Sequence, residues 1–185
     1  MDTFGLTTVT APAFEPVTLD EAKAHLRVDA TADDALINAL IVAAREYCEN
    51  WTGRSLPRQT FKLTLDTFPA TISLPRPPLV SVTHVKYIDT NGTQQTLAST
   101  EYRVDATSEP GRITPAYAKS WPSLRGQIAD VEVQYVCGYA AGSVPERAKL
   151  AMLVLLSEYY ENRTPVASRG LDTAHRMLWT LRADL

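Results

Sequence analysis

The hydrophobic positions along this chain change period twice, from helical spacing to alternation and back. Near the start, Thr18-Leu19-Asp20-Glu21 reads as a capping box, in which the Thr18 hydroxyl accepts from the Glu21 backbone N–H and the Glu21 carboxylate reaches back. A short helix over 19–27 follows, with Leu19, Ala22 and Leu26 on one face. Next, Leu36, Ile37, Leu40, Ile41, Ala44, Tyr47, Cys48 and Trp51 recur at helical spacing and predict a long helix over 32–52. Asp33 and Asp34 suit the positive end of its dipole, and Gly53 supplies a left-handed exit. Asn38, Arg45, Glu46 and Glu49 read as its opposite, polar face.

From 57 to 139 the period is two. Phe61, Leu63 and Leu65 alternate with Lys62, Thr64 and Asp66. Ile72-Ser73-Leu74 is a short strand halted by Pro75, Pro77 and Pro78. Val80 and Val82 alternate, then Val85 and Tyr87, and the slip of phase around His84 predicts a β-bulge. Asp89-Thr90-Asn91-Gly92 is a hairpin turn, with a return strand from Thr93 to Leu97. Tyr102–Asp105, Arg112–Thr114 and the alternating Val131, Val133 and Tyr135 complete the strands.

Helical spacing then returns. Ser143-Val144-Pro145-Glu146 opens a helix over 145–162, with Ser143 as the expected cap. Its stripe of Ala148, Ala151, Met152, Leu155, Leu156 and Tyr159 is widened by Leu150, Leu153 and Val154, so the helix needs contacts on more than one side. The expected core pairs Leu36, Leu40, Ala44 and Tyr47 with Ala151, Leu155 and Tyr159. After a loop from Arg163 to Gly170, a last helix over about 172–182 places Leu171, Ala174, Leu178 and Leu181 on one face.

The pattern predicts an α+β fold: a small bundle of two long and two short helices, with a β-rich excursion between the long helices. Residues 1–17 read as an extended arm, 18–163 as the main domain, and 164–185 as a loop and C-terminal helix. The 185 residues suffice for a real core, since 45% are hydrophobic. The net charge of −3 excludes a strongly basic nucleic-acid binder but is compatible with a passage for DNA. No secretory leader is read at the N-terminus, and no apolar run is long enough for a bilayer.

The sequence holds no recognisable catalytic constellation. His25, His84 and His175 have no second ligand at metal spacing. Cys48 and Cys137 read as buried free thiols rather than a disulfide or nucleophile. There is no nucleophile elbow, Walker loop or dinucleotide fingerprint. The chain is therefore expected to be no enzyme and to need no cofactor or metal. The Pro-rich run from Leu74 to Leu79 reads as a strand breaker before it reads as a recognition segment. The basic C-terminal stretch reads as a docking helix: Arg176 and Arg182 supply charge, while Leu178, Trp179 and Leu181 supply apolar anchors.

Several segments, in order, resemble the head–tail connector family of long-tailed bacteriophages. Val17-Thr18-Leu19-Asp20-Glu21-Ala22 through Val28 is similar to the family's opening helix. Asp33-Asp34-Ala35-Leu36-Ile37, Ala43-Ala44-Arg45-Glu46 and Thr52-Gly53-Arg54 are similar to its second helix and exit turn. Gln59-Thr60, Leu74-Pro75 with Pro78-Leu79 and Ser81-Val82, and Tyr87-Ile88-Asp89 with Gly92 resemble its strands and hairpin. Tyr135 with Gly138-Tyr139, Val144-Pro145 and Glu158 to Arg163 resemble the approach to its last long helix and that helix's close.

The resemblance spans about residues 17–163. It implies a structural subunit of a dodecameric adaptor ring under the portal, extending the DNA channel and linking head to tail. The partners it implies are other copies of the chain, the portal, and the next neck or tail-completion protein. DNA would pass without sequence-specific binding, and no membrane is involved. The location implied is the virion's head–tail interface, after assembly in the host bacterial cytoplasm. On that reading Arg176, Leu178, Trp179, Leu181 and Arg182 meet the portal. Another neck or tail-completion protein is the alternative, and a nucleic-acid-binding module a more distant one.

Overall fold

The computed structural model describes residues 4–162 and 169–183. The chain forms two compact units, each described by itself: Met1–Pro12 with Arg58–Gly138 and Asp184–Leu185, and Ala13–Pro57 with Tyr139–Ala183. The mixture of helices and antiparallel strands is the expected α+β fold.

The first unit holds β1 (Phe4–Thr10), β2 (Gln59–Leu65), β3 (Ile72–Leu74), β4 (Leu79–Ile88), β5 (Gln94–Leu97), β6 (Tyr102–Asp105), β7 (Gly111–Pro115) and β8 (Val131–Cys137). Five strands form one sheet in the order β1-β2-β8-β4-β5, and three form another in the order β3-β7-β6. Every pairing is antiparallel. Within the stretch read as an arm, Phe4–Thr10 is a strand of the sheet, paired with β2.

Alternation fixes the register of this unit. β2 and β8 both alternate buried with half-buried side chains, and Leu63 stands opposite Val133 in the core. Phe61, Leu65, Ile72, Leu74, Val85, Ile113, Val131 and Tyr135 fill the rest. The expected bulge is present, where the pairing of β4 with β8 shifts between Val82 and His84. The Asp89 turn closes as read, with Asp89 Oδ1 accepting from the N–H groups of Asn91 and Thr93. The Pro-rich run is structural: Leu74 and Leu79 are buried on either side, and the Pro75 carbonyl accepts from the Tyr135 hydroxyl at 3.0 Å. Gly111 is required for space, because a Cβ there would meet Leu79 at 2.6 Å.

The second unit holds α1 (Leu19–Leu26), α2 (Asp34–Thr52), α3 (Glu146–Glu161) and α4 (Arg169–Leu178), then a 3₁₀ turn over Trp179–Leu181. α1 opens on the expected capping box, with Glu21 N–H donating to Thr18 Oγ1 and Thr18 N–H donating to Glu21 Oε2. Asp33 and Asp34 stand at the start of α2, as read, whereas the cap of α3 differs from expectation. Asp33 makes no side-chain cap bond and instead accepts from the Tyr160 hydroxyl, while Asp34 pairs with Lys23. Ser143 lies exposed outside α3, which is capped at Pro145 without a side-chain bond. The Pro145 carbonyl takes the first helical bonds, so the proline already sets the entry.

The core of this unit uses the Ile37, Ile41, Ala44 and Cys48 side of the predicted stripe, one helical step from the Leu36, Leu40 and Tyr47 of the expected pairing. Ile37, Ile41, Ala44 and Cys48 of α2 are buried with Ala148, Ala151, Met152, Leu155 and Leu156 of α3. Leu36 is exposed, and Leu40, Tyr47 and Tyr159 pack at the margin. Rotating the stripe by about 100°, one residue of a 3.6-residue turn, brings Arg45 and Glu49 inward, which the sequence reading had assigned to solvent.

Candidate functional site

The described residues contain no group of three or more His, Cys, Asp or Glu side chains able to hold a metal. The two cysteines are buried and free, and burial pushes each thiol up to about 12, away from nucleophilic use. Among described residues no helix is long and apolar enough to cross a membrane. What the structure offers is surfaces and the framework that holds them.

The C-terminal segment reads from the sequence as a docking helix for a partner. Instead α4 lies against α3, with Ala174 and Leu178 fully buried and Leu171, Met177 and Leu181 packed around them. The physical reason is the wide apolar surface of α3: α2 covers one side and α4 another. The helix already includes Arg169 and Gly170, ahead of the expected Asp172, and Gly170 sits so close to Glu158 of α3 that a Cβ would come within 2.5 Å of its carboxylate. Residues 163–168 of the loop read before this helix lie outside the described residues.

The last turns of α2 clamp the same segment. The His175 ring stacks on Trp51 at 3.6 Å between centroids, and its Nε2 hydrogen-bonds the Tyr47 hydroxyl at 2.6 Å. The Thr52 carbonyl accepts from the Ala183 N–H at 2.8 Å, and Arg54 Nε donates to the Leu181 carbonyl. The Arg182 guanidinium lies over the Trp51 ring at 5.8 Å. Arg147 on α3 donates to Thr180.

Of the five residues expected to bind a partner, Leu178 is therefore withdrawn into the chain's own core and Leu181 is half-covered. Arg176, Trp179 and Arg182 are exposed, with Trp179 at 65% of its full surface. They sit on an element pinned at both its helix and its end.

A second framework was missed by sequence reasoning. Arg45, nearly buried, donates from Nε to Glu15 and from an amino group to Glu49, each at 2.8 Å. Glu49 also accepts the Leu56 N–H at 2.8 Å. Burial works against the charge on Arg45, but Glu49 and Glu15 outweigh it and hold its pKa above the ordinary value. The i,i+4 spacing of Arg45 and Glu49 was visible, but nothing in it said that the pair was buried.

The β unit presents exposed apolar side chains of its own. Tyr117 is 94% exposed and Ile128 80%, both in the long connection between β7 and β8. That connection is nonetheless fixed. Trp121 stacks on Phe68 at 4.7 Å and donates to the Pro69 carbonyl, and Asp130 gathers Arg125 and the N–H groups of Gly126 and Gln127. Those hydrogen bonds hold the Asp130 carboxyl below its usual range, with the Gln127 N–H as the largest cause.

Comparison with solved structures returns the same fold. A chain in the neck of an empty gene transfer agent (GTA) particle, computed with C6 symmetry, aligns with a TM-score of 0.84 at 23% identity, over 98% of this chain and 96% of that one. A chain of the virion of a native GTA particle aligns at 0.82 and 24% identity, over 97% and 96%. A chain in the neck of a native GTA particle, computed with C12 symmetry, aligns at 0.76 and 23% identity, over 98% and 96%. No curated protein matches by sequence. The family profile described as Phage gp6-like head-tail connector protein matches residues 16–115, more than half of the chain and the stretch that carries α1, α2 and β2 to β7. The chain belongs to the phage gp6-like head–tail connector family.

Proposed function

We propose that this chain is a non-enzymatic structural subunit of the neck of a tailed phage or gene transfer agent, forming an adaptor ring of about twelve copies under the portal. The ring extends the DNA channel and links the head to the next neck or tail-completion protein. It is assembled in the host bacterial cytoplasm and resides at the head–tail interface of the virion. DNA slides past a mildly acidic chain of net charge −3 without sequence-specific contact. No cofactor takes part.

The observation that carries this reading is the family match over residues 16–115. A fold shared over nearly the whole length with chains from GTA necks supports it. The portal-facing surface is the exposed set Arg176, Trp179 and Arg182, with the uncovered edge of Leu181. A large rigid aromatic beside two guanidinium groups is the composition of an interface anchor.

Native mass measurement of the purified chain, alone and with portal, tests the ring: a species of about twelve copies is expected, and a monomer under both conditions would overturn it. Trp179→Ala should leave the fold intact and weaken portal capture by about tenfold or more. Unchanged capture would remove this surface from the portal contact and leave the ring reading standing.

A further inference from the structure

The five-stranded sheet ends in β1 on one side and β5 on the other, and among the described residues neither has a strand beyond it. Open edges are ordinarily guarded by charge, proline or a covering element, because their unpaired N–H and C=O groups template further strands. These two are not guarded that way. β1 reads Phe-Gly-Leu-Thr-Thr-Val-Thr and β5 reads Gln-Gln-Thr-Leu, with no charged residue and no proline in either. By contrast β6, an edge of the smaller sheet, carries Arg103 and Asp105.

β1 is also exposed to an unusual degree. Gly5, Thr7, Thr8, Val9 and Thr10 are exposed, and Leu6 is half-buried. Side-chain burial contributes little to placing this strand, and backbone pairing contributes most. Its irregularity falls between Thr8 and Thr10, so Phe4–Thr8 remains a regular run longer than the four residues of β5.

We propose that β1 of one copy pairs with β5 of the next, so that the sheets of neighbouring subunits join edge to edge. This rests on the ring reading above and names its subunit contact. The occupant follows from topology. Four successive antiparallel pairings leave β1 and β5 running in the same direction. An identically oriented neighbour therefore presents its β1 parallel to β5, with no charge on either edge to oppose the approach. Parallel strands need no tight turn when they come from different chains. The contact is heterologous, each copy offering one edge and taking another, and such contacts close into rings when the rotation is right. Pairing of β1 with β1 would instead be two-fold and stop at a dimer.

The test uses the full chain and two double variants. Thr7→Glu with Val9→Glu places charge on β1, where position 7 faces Lys62 of β2, so an intramolecular partner is available. Gln94→Glu with Thr96→Glu does the same on β5, where position 96 faces Lys86 of β4. Each variant alone should lose the ring and sediment near the monomer mass of 20.4 kDa, with an unchanged circular dichroism spectrum. Mixed in equal amounts, they should give a heterodimer and nothing larger, because one intact β1 and one intact β5 remain to meet. Variants that form the wild-type ring overturn the edge pairing and leave the ring reading intact. A folded mixture that stays monomeric also overturns it, as does a β5 variant that dimerises by itself. A wild-type chain that is monomeric at every concentration, with portal or without, overturns the ring reading itself.

Discussion

The β unit and the helical unit bury similar sets of aliphatic side chains but differ in what else they bury. In the β unit the buried polar residues are Gln59 at a strand start and Asp130, which organises a turn. In the helical unit Arg45, Glu49, Thr52, Arg54 and Ser55 are all buried, crowded into the second half of α2 and the turn after it. The chain's path accounts for the difference. The β unit takes most of its residues from one continuous stretch, and its ladders satisfy the backbone. The helical unit is assembled from two separated stretches, whose loops and end meet at α2 without a ladder to pair them. Glu15, Leu56, Leu181 and Ala183 each bring a polar group to that meeting point, and the buried side chains of α2 and its exit turn answer them. A unit closed by distant segments needs polar pairing where they join.

The largest effect that would test this contrast is at Arg45. Arg45→Met removes a buried cation that donates to both Glu49 and Glu15, and should cost about 3–5 kcal/mol in urea unfolding. Arg112→Met in the β unit breaks an exposed pair with Asp105, and should cost under about 1 kcal/mol. Equal losses would erase the distinction.

The next effect concerns the chain end. Leu178→Ala should cost about 2–5 kcal/mol because its side chain is fully buried against the helical core. Trp179→Ala, one residue on, should stay within about 0.5 kcal/mol. A reversed order would mean that α4 does not belong to the core of its unit.

The same logic reads the face of α2. Ile37→Ala should cost about 2–5 kcal/mol, whereas Leu36→Ala should stay within about 0.5 kcal/mol. Matched losses at both positions would restore the stripe read from the sequence.

The last effect, absent near neutral pH, should be common to both units. Cys48 lies in one and Cys137 in the other, and both thiols are raised to about 12 by burial from an ordinary value of 9.0. A neutral form favoured by folding stabilises fully below the unfolded value, and that contribution is lost as pH rises from there through the folded value. Stability should therefore decline through the window from about 9 to about 12, and alkylation near neutral pH should require unfolding. Rapid labelling of one cysteine in the folded chain would show its unit opening independently.

Local signals were fully legible where one segment carries its own answer. The Thr18 capping box, the Asp89 turn, the bulge near His84 and the alternation of β2 and β8 each depend on residues close in sequence. The two long helices were legible as helices for the same reason. Which side of α2 faces the core was not, because Leu36 and Leu40 are as apolar as Ile37 and Ile41, and only the neighbours choose between faces one residue apart. The destination of the last helix was a tertiary matter too. Sequence showed a basic amphipathic segment and an α3 with more apolar surface than one neighbour covers, and those facts admit either an outside partner or the chain's own end. Packing of α4 on α3, with His175 against Trp51 and Ala183 tied to Thr52, decides for the chain's own end. Sequence by itself determined the elements from α1 onward, their order and the family, while β1 became a strand only through its pairing with β2. Tertiary structure decided the faces and the seams, because burial of a side chain is settled by what arrives from a distance.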